Sequence, residues 1–236
     1  RDDCPPVASG RERDQAALTP TSWRDELDRD RDGRPGLDLL FVESAWNGNG
    51  GAWQYHLTGT SAPRPAFVEL VAACRELGVP TVFWNKEDPA HFEDFLDAAA
   101  LFDHVYTTDV GRVDAYRERL GHDRVGVLAF GAQPAIHNPV RAHGDGPSGD
   151  VAFGGMYFAH KYPERRAQMD LLLGAAVDVS PRMEHGLEIF SRFQGGDERY
   201  QFPEPFGSRV VGSLEYDRMR TAVREDMVFL NVNSVV

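Results

Sequence analysis

Two segments of the chain group the residue types that bind or deprotonate a hydroxyl-bearing ligand. Carboxylates and imidazoles can accept a proton, and amides can hydrogen-bond to sugar hydroxyls. Each group directly follows a run of apolar residues. The first segment holds Glu43, Trp46 and Asn47 beside several glycines, and the second holds Asn85, Glu87, Asp88 and His91. This clustering suits general-base chemistry or recognition of sugar hydroxyls, with Glu87 or Asp88 as the candidate catalytic base.

Each of these segments also has a structural alternative. Asp88 followed by Pro89 is typical of a helix start, where an aspartate caps the first turn and proline occupies its first position. Gly48, Gly50 and Gly51 suit a flexible turn as well as a close backbone approach to a ligand. The residues alone leave both alternatives open.

A third segment has the composition of a phosphate site. Gly154 and Gly155 follow an apolar run, and Lys161, Arg165 and Arg166 lie around the next predicted helix start. Glycine allows backbone amides to approach an oxyanion, and cations add charge-assisted hydrogen bonds. Basic residues at a helix start oppose the helix dipole, which favours an anion as their partner. The alternative is a solvated helix face.

The fourth segment is an amide-rich strand end that could bind a ligand or only turn the chain: Asn231, Asn233 and Ser234. The chain shows neither a nucleophile paired with a base nor a metal-ligand spacing nor a G-x-G-x-x-G fingerprint. We therefore expect no metal and no cofactor.

Short apolar runs alternate with amphipathic helical patterns along most of the chain. This order predicts βαβ units and an open parallel sheet. The rhythm stops in the Pro- and Gly-rich residues 131–149 and restarts at Asp150. The predicted fold class is α/β with two tandem Rossmann-like domains: residues 19–130, a linker 131–149, and residues 150–236, whose sheet we expect to be the smaller one. Residues 1–18 lack periodicity, which predicts a disordered or displaced tail.

Composition limits the partners and the compartment. The formal net charge of the 236 residues is -12, which disfavours nucleic acid and anionic membranes as partners. No apolar run is long enough for a membrane span. Two cysteines make no disulfide framework, so we expect a cytoplasmic location.

Several separated blocks of the sequence resemble the bacterial glycosyltransferases related to the spore maturation protein CgeB. The resemblance covers roughly residues 18–235 and rests on blocks that recur in one order. These are LDLLFVES with WNGNGGAWQY, GVPTVFWNKEDP, FDHVYTTD, FGAQPAIHNP, VAFGGMYFAHKYPERR and VFLNVNS.

This resemblance implies a GT-B fold and metal-independent transfer from a nucleotide sugar to an acceptor. It puts Gly154, Gly155, Lys161 and Arg165 at the donor diphosphate and residues 231–234 at the start of the donor half of a cleft. It puts the Glu43 and Asn85 segments on the acceptor side. Relatives of this type continue beyond the last block, so we expect an incomplete donor domain. The alternatives are a non-catalytic sugar- or nucleotide-binding module and a tandem flavodoxin-like or receiver domain.

Overall fold

The computed structural model describes residues 14–29, 32–132, 134, 137–140 and 146–232, without the side chains at positions 216, 217 and 220. The chain divides into two compact units, Arg1–Gln133 and Pro134–Val236, and this division falls within the predicted linker. Each unit contains one parallel sheet of four strands. The α/β class and the two Rossmann-like sheets are therefore as predicted. The prediction that the second sheet is the smaller one is wrong, because both described sheets have four strands.

The first unit follows the predicted alternation of strands and helices closely. Its α-helices and strands are α1 (Trp23–Leu27), β1 (Leu40–Glu43), α2 (Pro65–Glu76), β2 (Thr81–Asn85), α3 (Phe92–Ala99), β3 (His104–Thr107), α4 (Val113–Leu120) and β4 (Val125–Val127). The strands lie side by side in the order β1-β2-β3-β4, all parallel. Right-handed crossovers in an order without reversal bring all connecting helices to one face.

The buried side of the first sheet packs against these helices. Phe83 and Val105 are fully buried in one apolar cluster with Phe67, Phe95 and Tyr116. Strand residues of the opposite parity are more exposed, because successive side chains point to opposite faces. Phe41, for example, is 45% exposed, and Trp84 contacts its ring at 6.3 Å between centroids.

The predicted disordered tail, residues 1–18, ends before Leu18. Leu18 is buried, and its carbonyl oxygen accepts hydrogen bonds from Asn49 Nδ2 (2.6 Å) and Trp53 Nε1 (2.7 Å). Because these contacts tie Leu18 to the first core, it belongs to the first domain. Residues 1–13 lie outside the described part of the chain.

The second unit has a different strand order. Its α-helices and strands are β5 (Gly149–Gly155), α5 (Pro163–Val179), β6 (Leu187–Ser191), β7 (Val210–Gly212), α6 (Tyr216–Glu225) and β8 (Asp226–Leu230). The strands are ordered β7-β6-β5-β8 and are parallel. In sequence order this is 3-2-1-4, so the direction of winding reverses between β5 and β8. That is the switch point of a doubly wound sheet.

The two helices of the second unit cover opposite faces of its sheet. Met169 and Leu173 of α5 are buried in one cluster with Phe153, Leu187 and Ile189. Gly154 has the opposite strand parity from Phe153, and a Cβ atom there would lie 3.0 Å from Met219 Cε of α6. Helix α6 therefore packs on the side away from α5, as a reversed winding requires.

A buried carboxyl group lies at the amino edge of the second sheet. Asp226 is buried, and a Cβ atom at Gly149 would overlap its carboxylate. Burial, with the nearby negative charges of Glu188, Asp150 and Glu225, raises the pKa of Asp226 to about 6. The folded unit therefore holds this proton at a pH where the unfolded chain has lost it.

We predict that Asp226→Asn stabilises the second unit at neutral pH. A raised folded-state pKa makes stability fall as the pH rises from about 4 to about 6, after which the cost is constant. The amide removes this cost, so the free energy of unfolding should increase by about 3 kcal/mol at pH 8 and change little at pH 4. Thermal unfolding between pH 4 and 8 measures this. Asp178→Asn, at an exposed position on α5, is the control; equal pH profiles for Asp226→Asn and the parent would contradict the prediction.

Candidate functional site

The carboxyl edge of the first sheet brings together the segments after β1 and β2. Glu43 ends β1, and its Oε1 lies 3.3 Å from Nζ of Lys86, with both side chains at least 85% buried. The Lys86 amide also donates to Ser44 Oγ at 3.0 Å. A mostly buried ion pair needs its partner, because each charge has lost most of its water. Glu43 is therefore held against the second segment.

His91 and Trp46 also meet at this edge. The two rings are 5.2 Å apart and nearly perpendicular, and Trp46 packs in the same way against Phe95. His91 Nδ1 lies 2.8 Å from Asp94 Oδ2. A carboxylate oxygen accepts this hydrogen bond from Nδ1, which leaves Nε2 to contact another group. Asn47, from the same loop as Trp46, is exposed.

Asp88 takes part in a hydrogen-bond network between β2 and β3. Its Oδ1 accepts from Asn85 Nδ2 (2.9 Å), and its Oδ2 accepts from Thr107 Oγ1 (2.6 Å). Asn85 is fully buried and also donates to the Tyr116 hydroxyl at 2.9 Å. Burial raises the pKa of Asp88, against the lowering effect of the Thr107 hydrogen bond. Both carboxylate oxygens thus have protein partners.

The helix-capping alternative for Asp88 is wrong. Helix α3 begins at Phe92 with His91 at its N-cap position, so Asp88 and Pro89 precede the helix by a full turn. The Asp88 side chain is instead fixed by Thr107, a residue 19 positions later in the sequence. Glu87 is partly exposed, and its amide donates to Asn85 Oδ1 at 3.1 Å.

The glycine-rich loop after β1 is a tight turn. Gly50 and Gly51 have φ values of 66° and 96°, and no atom lies within 4 Å of a Cβ placed on either. Glycine is needed there for its backbone conformation, because side chains are rarely tolerated at such φ values. Trp53, which flanks the turn, is buried in the first core. Gly50 and Gly51 thus shape the turn, whereas a Cβ atom at Gly48 would lie 3.3 Å from Trp53 Cβ, so close packing requires glycine there.

Gly154 and Gly155 are the last two residues of β5, so they lie within the strand where the sequence suggested a loop. A Cβ atom at Gly154 would lie 3.0 Å from Met219 Cε and 3.1 Å from Phe229 Cζ. At Gly155 it would lie 3.0 Å from the Phe153 ring. Gly154 therefore lets α6 pack closely on β5, and this packing role is independent of any contact with a ligand. The seven residues 156–162 connect the strand to α5.

The three predicted cations after β5 have different surroundings. Lys161 Nζ lies within 5.0 to 5.9 Å of the ring centroids of Phe158, Tyr162 and Tyr200. The Arg165 guanidinium lies 5.2 Å from the Phe158 ring. Arg166 Nη1 donates to the carbonyl oxygens of Phe158 and Ala159, at 3.2 and 2.8 Å. Arg166 thus holds the loop, while Lys161 and Arg165 are packed on aromatic rings beside the helix start.

Helix α5 begins at Pro163, between the predicted cations Lys161 and Arg165. Its N-cap residue Tyr162 is in the left-handed region (φ 54°, ψ 63°) and makes no side-chain capping hydrogen bond. A helix N-terminus carries partial positive charge from its terminal N–H groups, which favours an anion. Glu164 in the first turn is exposed and adds one negative charge at this end.

Ser191 is a residue that the sequence did not indicate. It ends β6 in register with Gly155 and is 1% exposed, and its Oγ has no hydrogen-bond partner among the described residues. It shares strand parity with Leu187 and Ile189, so it faces the α5 side of the sheet. A buried hydroxyl without a partner is costly and calls for a ligand or water. The sequence feature that could have pointed to Ser191 is a polar residue at the end of an apolar run.

The segment after β8 is only partly described. Asn231 directly follows β8 and is exposed, while Val232 is buried in the second core. Asn233 and Ser234 lie outside the described residues. Because β5 and β8 flank the switch point, Asn231 and the loop after β5 follow the two strands where doubly wound sheets bind ligands.

The described residues offer neither clustered metal ligands nor a membrane-spanning helix. They contain no group of three or more His, Cys, Asp or Glu side chains arranged to hold a metal ion. Within the same residues, none of the helices combines the length and the apolar character needed to cross a bilayer.

Comparison with known proteins does not identify a family. No protein-family model matches the chain, and no curated protein matches it in sequence.

Proposed function

We propose that this protein is a GT-B-type glycosyltransferase whose second unit binds the diphosphate of a nucleotide sugar. The observation that carries the proposal is the strand order β7-β6-β5-β8. A doubly wound sheet binds its ligand at the carboxyl ends of the strands on either side of the reversal, with phosphate at the first helix N-terminus. Helix α5 provides that N-terminus, and Lys161 and Arg165 lie beside it.

The chemistry of a departing nucleoside diphosphate fits these groups. Its negative charge must be stabilised as the bond to the sugar breaks, and cations with helix amides can do this. The Ser191 hydroxyl, buried on the α5 face at the end of β6, adds a neutral donor. With a net charge of -12, the protein repels anions in general, so a local cationic pocket would be selective.

The resemblance to CgeB-related glycosyltransferases supports sugar transfer rather than another phosphate chemistry. In the proposed reaction the acceptor hydroxyl loses its proton to a carboxylate, and its oxygen bonds to the sugar carbon. The bond from that carbon to the diphosphate breaks, and the diphosphate leaves with the electron pair. The acceptor would bind at the carboxyl edge of the first sheet, among Glu43, Trp46, Asn47, Asn85 and His91.

The base in this proposal is Glu87 or Asp88, and the two differ in their surroundings. Asp88 accepts hydrogen bonds at both carboxylate oxygens, and its raised pKa favours proton acceptance. Glu87 is partly exposed on the same turn. Asp88 is thus the more firmly held of the two candidates, and both are partly exposed.

The non-catalytic alternative shares the donor site and differs only in turnover. Release of sugar from a panel of nucleotide sugars separates an enzyme from a binding module. The receiver or flavodoxin-like alternative has less support, because those folds use the order 2-1-3-4-5 with its own reversal. The strand order of the first sheet in the described residues, β1-β2-β3-β4, has no reversal.

We predict that Arg165→Ala weakens nucleoside-diphosphate binding by about 1.5 to 3 kcal/mol, the range for a hydrogen bond to a charged group. Lys161→Ala should have an effect in the same direction. Calorimetry with uridine, guanosine and adenosine diphosphates measures the affinity. Arg182→Ala, an exposed position just beyond the other end of α5, is the matched control. Parental affinity in both Lys161→Ala and Arg165→Ala would assign these cations to a solvated helix face.

We predict that Glu87→Gln or Asp88→Asn lowers turnover by roughly 10² or more, because an amide cannot accept the acceptor proton. Asp88→Asn should also lower the unfolding temperature of the first unit, since an amide nitrogen facing Thr107 Oγ1 or Asn85 Nδ2 would leave one buried donor unpaired. Glu93→Gln, an exposed position on α3, is the control for the charge change. The base assignment fails if both variants turn over like the parent.

A further inference from the structure

An aromatic surface lies beside the residues of the second unit that are proposed to bind phosphate. We call Tyr162, Phe193 and Tyr200 the ring surface. Phe193 stacks on Tyr200 with centroids 5.0 Å apart and planes at 26°, and Tyr200 contacts Phe158 edge-on at 5.7 Å. Phe193 is 41% exposed and Tyr162 is 43% exposed. Large aromatic side chains with this much exposure can stack against a planar ligand.

The loops that carry the ring surface are tied together through their backbones. The Arg192 amide donates to Gly155 O (2.8 Å), and the Tyr157 amide donates to Tyr200 O (3.3 Å). The Gln201 side chain donates to Phe193 O at 2.6 Å, which closes the loop after β6. These bonds hold the rings in place before a ligand arrives, and preorganisation reduces the entropy cost of binding.

A cation connects the ring surface with the start of α5. Lys161 Nζ is 5.0 Å from the Tyr162 centroid and 5.9 Å from the Tyr200 centroid. These distances are within the range of cation–π attraction, so the ammonium is held near the rings. Lys161 lies two residues before Pro163, the first residue of α5. A positive charge beside stacked rings has the chemistry to bind a nucleotide, which joins an anion to a flat heterocycle.

We propose that the ring surface binds the base of a nucleoside diphosphate, which stacks on Phe193. This inference rests on the proposed function, since it uses the proposed phosphate-binding residues at the start of α5. In dinucleotide-binding doubly wound sheets the nucleoside extends from the first strand toward the end of the second. The corresponding strands here are β5 and β6, and Phe193 follows β6 by two residues.

The test compares ligands with and without a base. Phe193→Ala is expected to weaken binding of uridine, guanosine and adenosine diphosphates roughly 10- to 100-fold, the loss typical of one base–aromatic stack. Binding of inorganic pyrophosphate should stay within about twofold, because it has no ring to stack. Phe193→Leu keeps apolar bulk without a π face and should lose affinity in the same direction. Phe130→Ala, which removes an exposed phenylalanine from the first unit, is the control.

The outcomes separate this inference from the proposed function. Loss of nucleoside-diphosphate affinity in Phe193→Ala, with parental affinity in both Lys161→Ala and Arg165→Ala, would support the ring surface while contradicting the phosphate assignment. Equal weakening of pyrophosphate and nucleoside diphosphates would overturn the inference, as would parental affinity in both Phe193 variants. A loss confined to nucleotide sugars would also overturn it, because the rings would then contact the sugar.

Discussion

The reversal of strand order in the second sheet depends on close packing between β5 and α6. For β8 to lie beside β5, the chain must cross the face opposite α5, and α6 makes that crossing. At Gly154 a Cβ atom would approach Met219 Cε and Phe229 Cζ to 3.0 and 3.1 Å. Contacts this short require a neighbour to move, so a side chain at Gly154 would push α6 or β8 outward. The switch point, where the proposed ligand site lies, therefore depends on this contact.

The proposed anion site of this acidic protein depends on how the loop before α5 packs. Charge cannot attract an anion in general at a net charge of -12, so the site depends on local groups. Lys161 and Arg165 are positioned by the Phe158 ring, and Arg166 fixes the loop through two carbonyl oxygens. Such positioning reduces the reorganisation needed when a diphosphate binds. By contrast, the buried ion pair Glu43–Lys86 in the first unit already satisfies its charge locally.

Local sequence patterns were sufficient to predict most of the fold. The alternation of strands and helices and the division of the chain within residues 131–149 are as predicted, because apolar runs, helical spacing and Pro- and Gly-rich breaks are local signals. The size of the second sheet was not predicted correctly. Its last strand, β8, pairs with β5 some 75 residues earlier, and no local pattern reports such a pairing.

The site was predicted less completely, for the same physical reason. The cations after β5 were identified, since basic residues at a helix start are unusual. The hydrogen bond from Thr107 to Asp88 connects the ends of the neighbouring strands β2 and β3. The helix-capping alternative missed it, because that alternative considered only residues close to Asp88 in the sequence. Ser191 and the ring surface gain their chemistry from contacts between two loops. Phe193 and Tyr200 stack because backbone bonds close the loop after β6, which composition does not reveal.

In the proposed function, the switch point of the second sheet binds a nucleoside diphosphate. A crystal structure of the protein soaked with uridine diphosphate would show this binding. We expect the phosphates to lie at the N-terminus of α5, within hydrogen-bond distance of Ser191 Oγ or of Lys161 or Arg165. Phosphate density elsewhere, with these three side chains uncontacted, would contradict it.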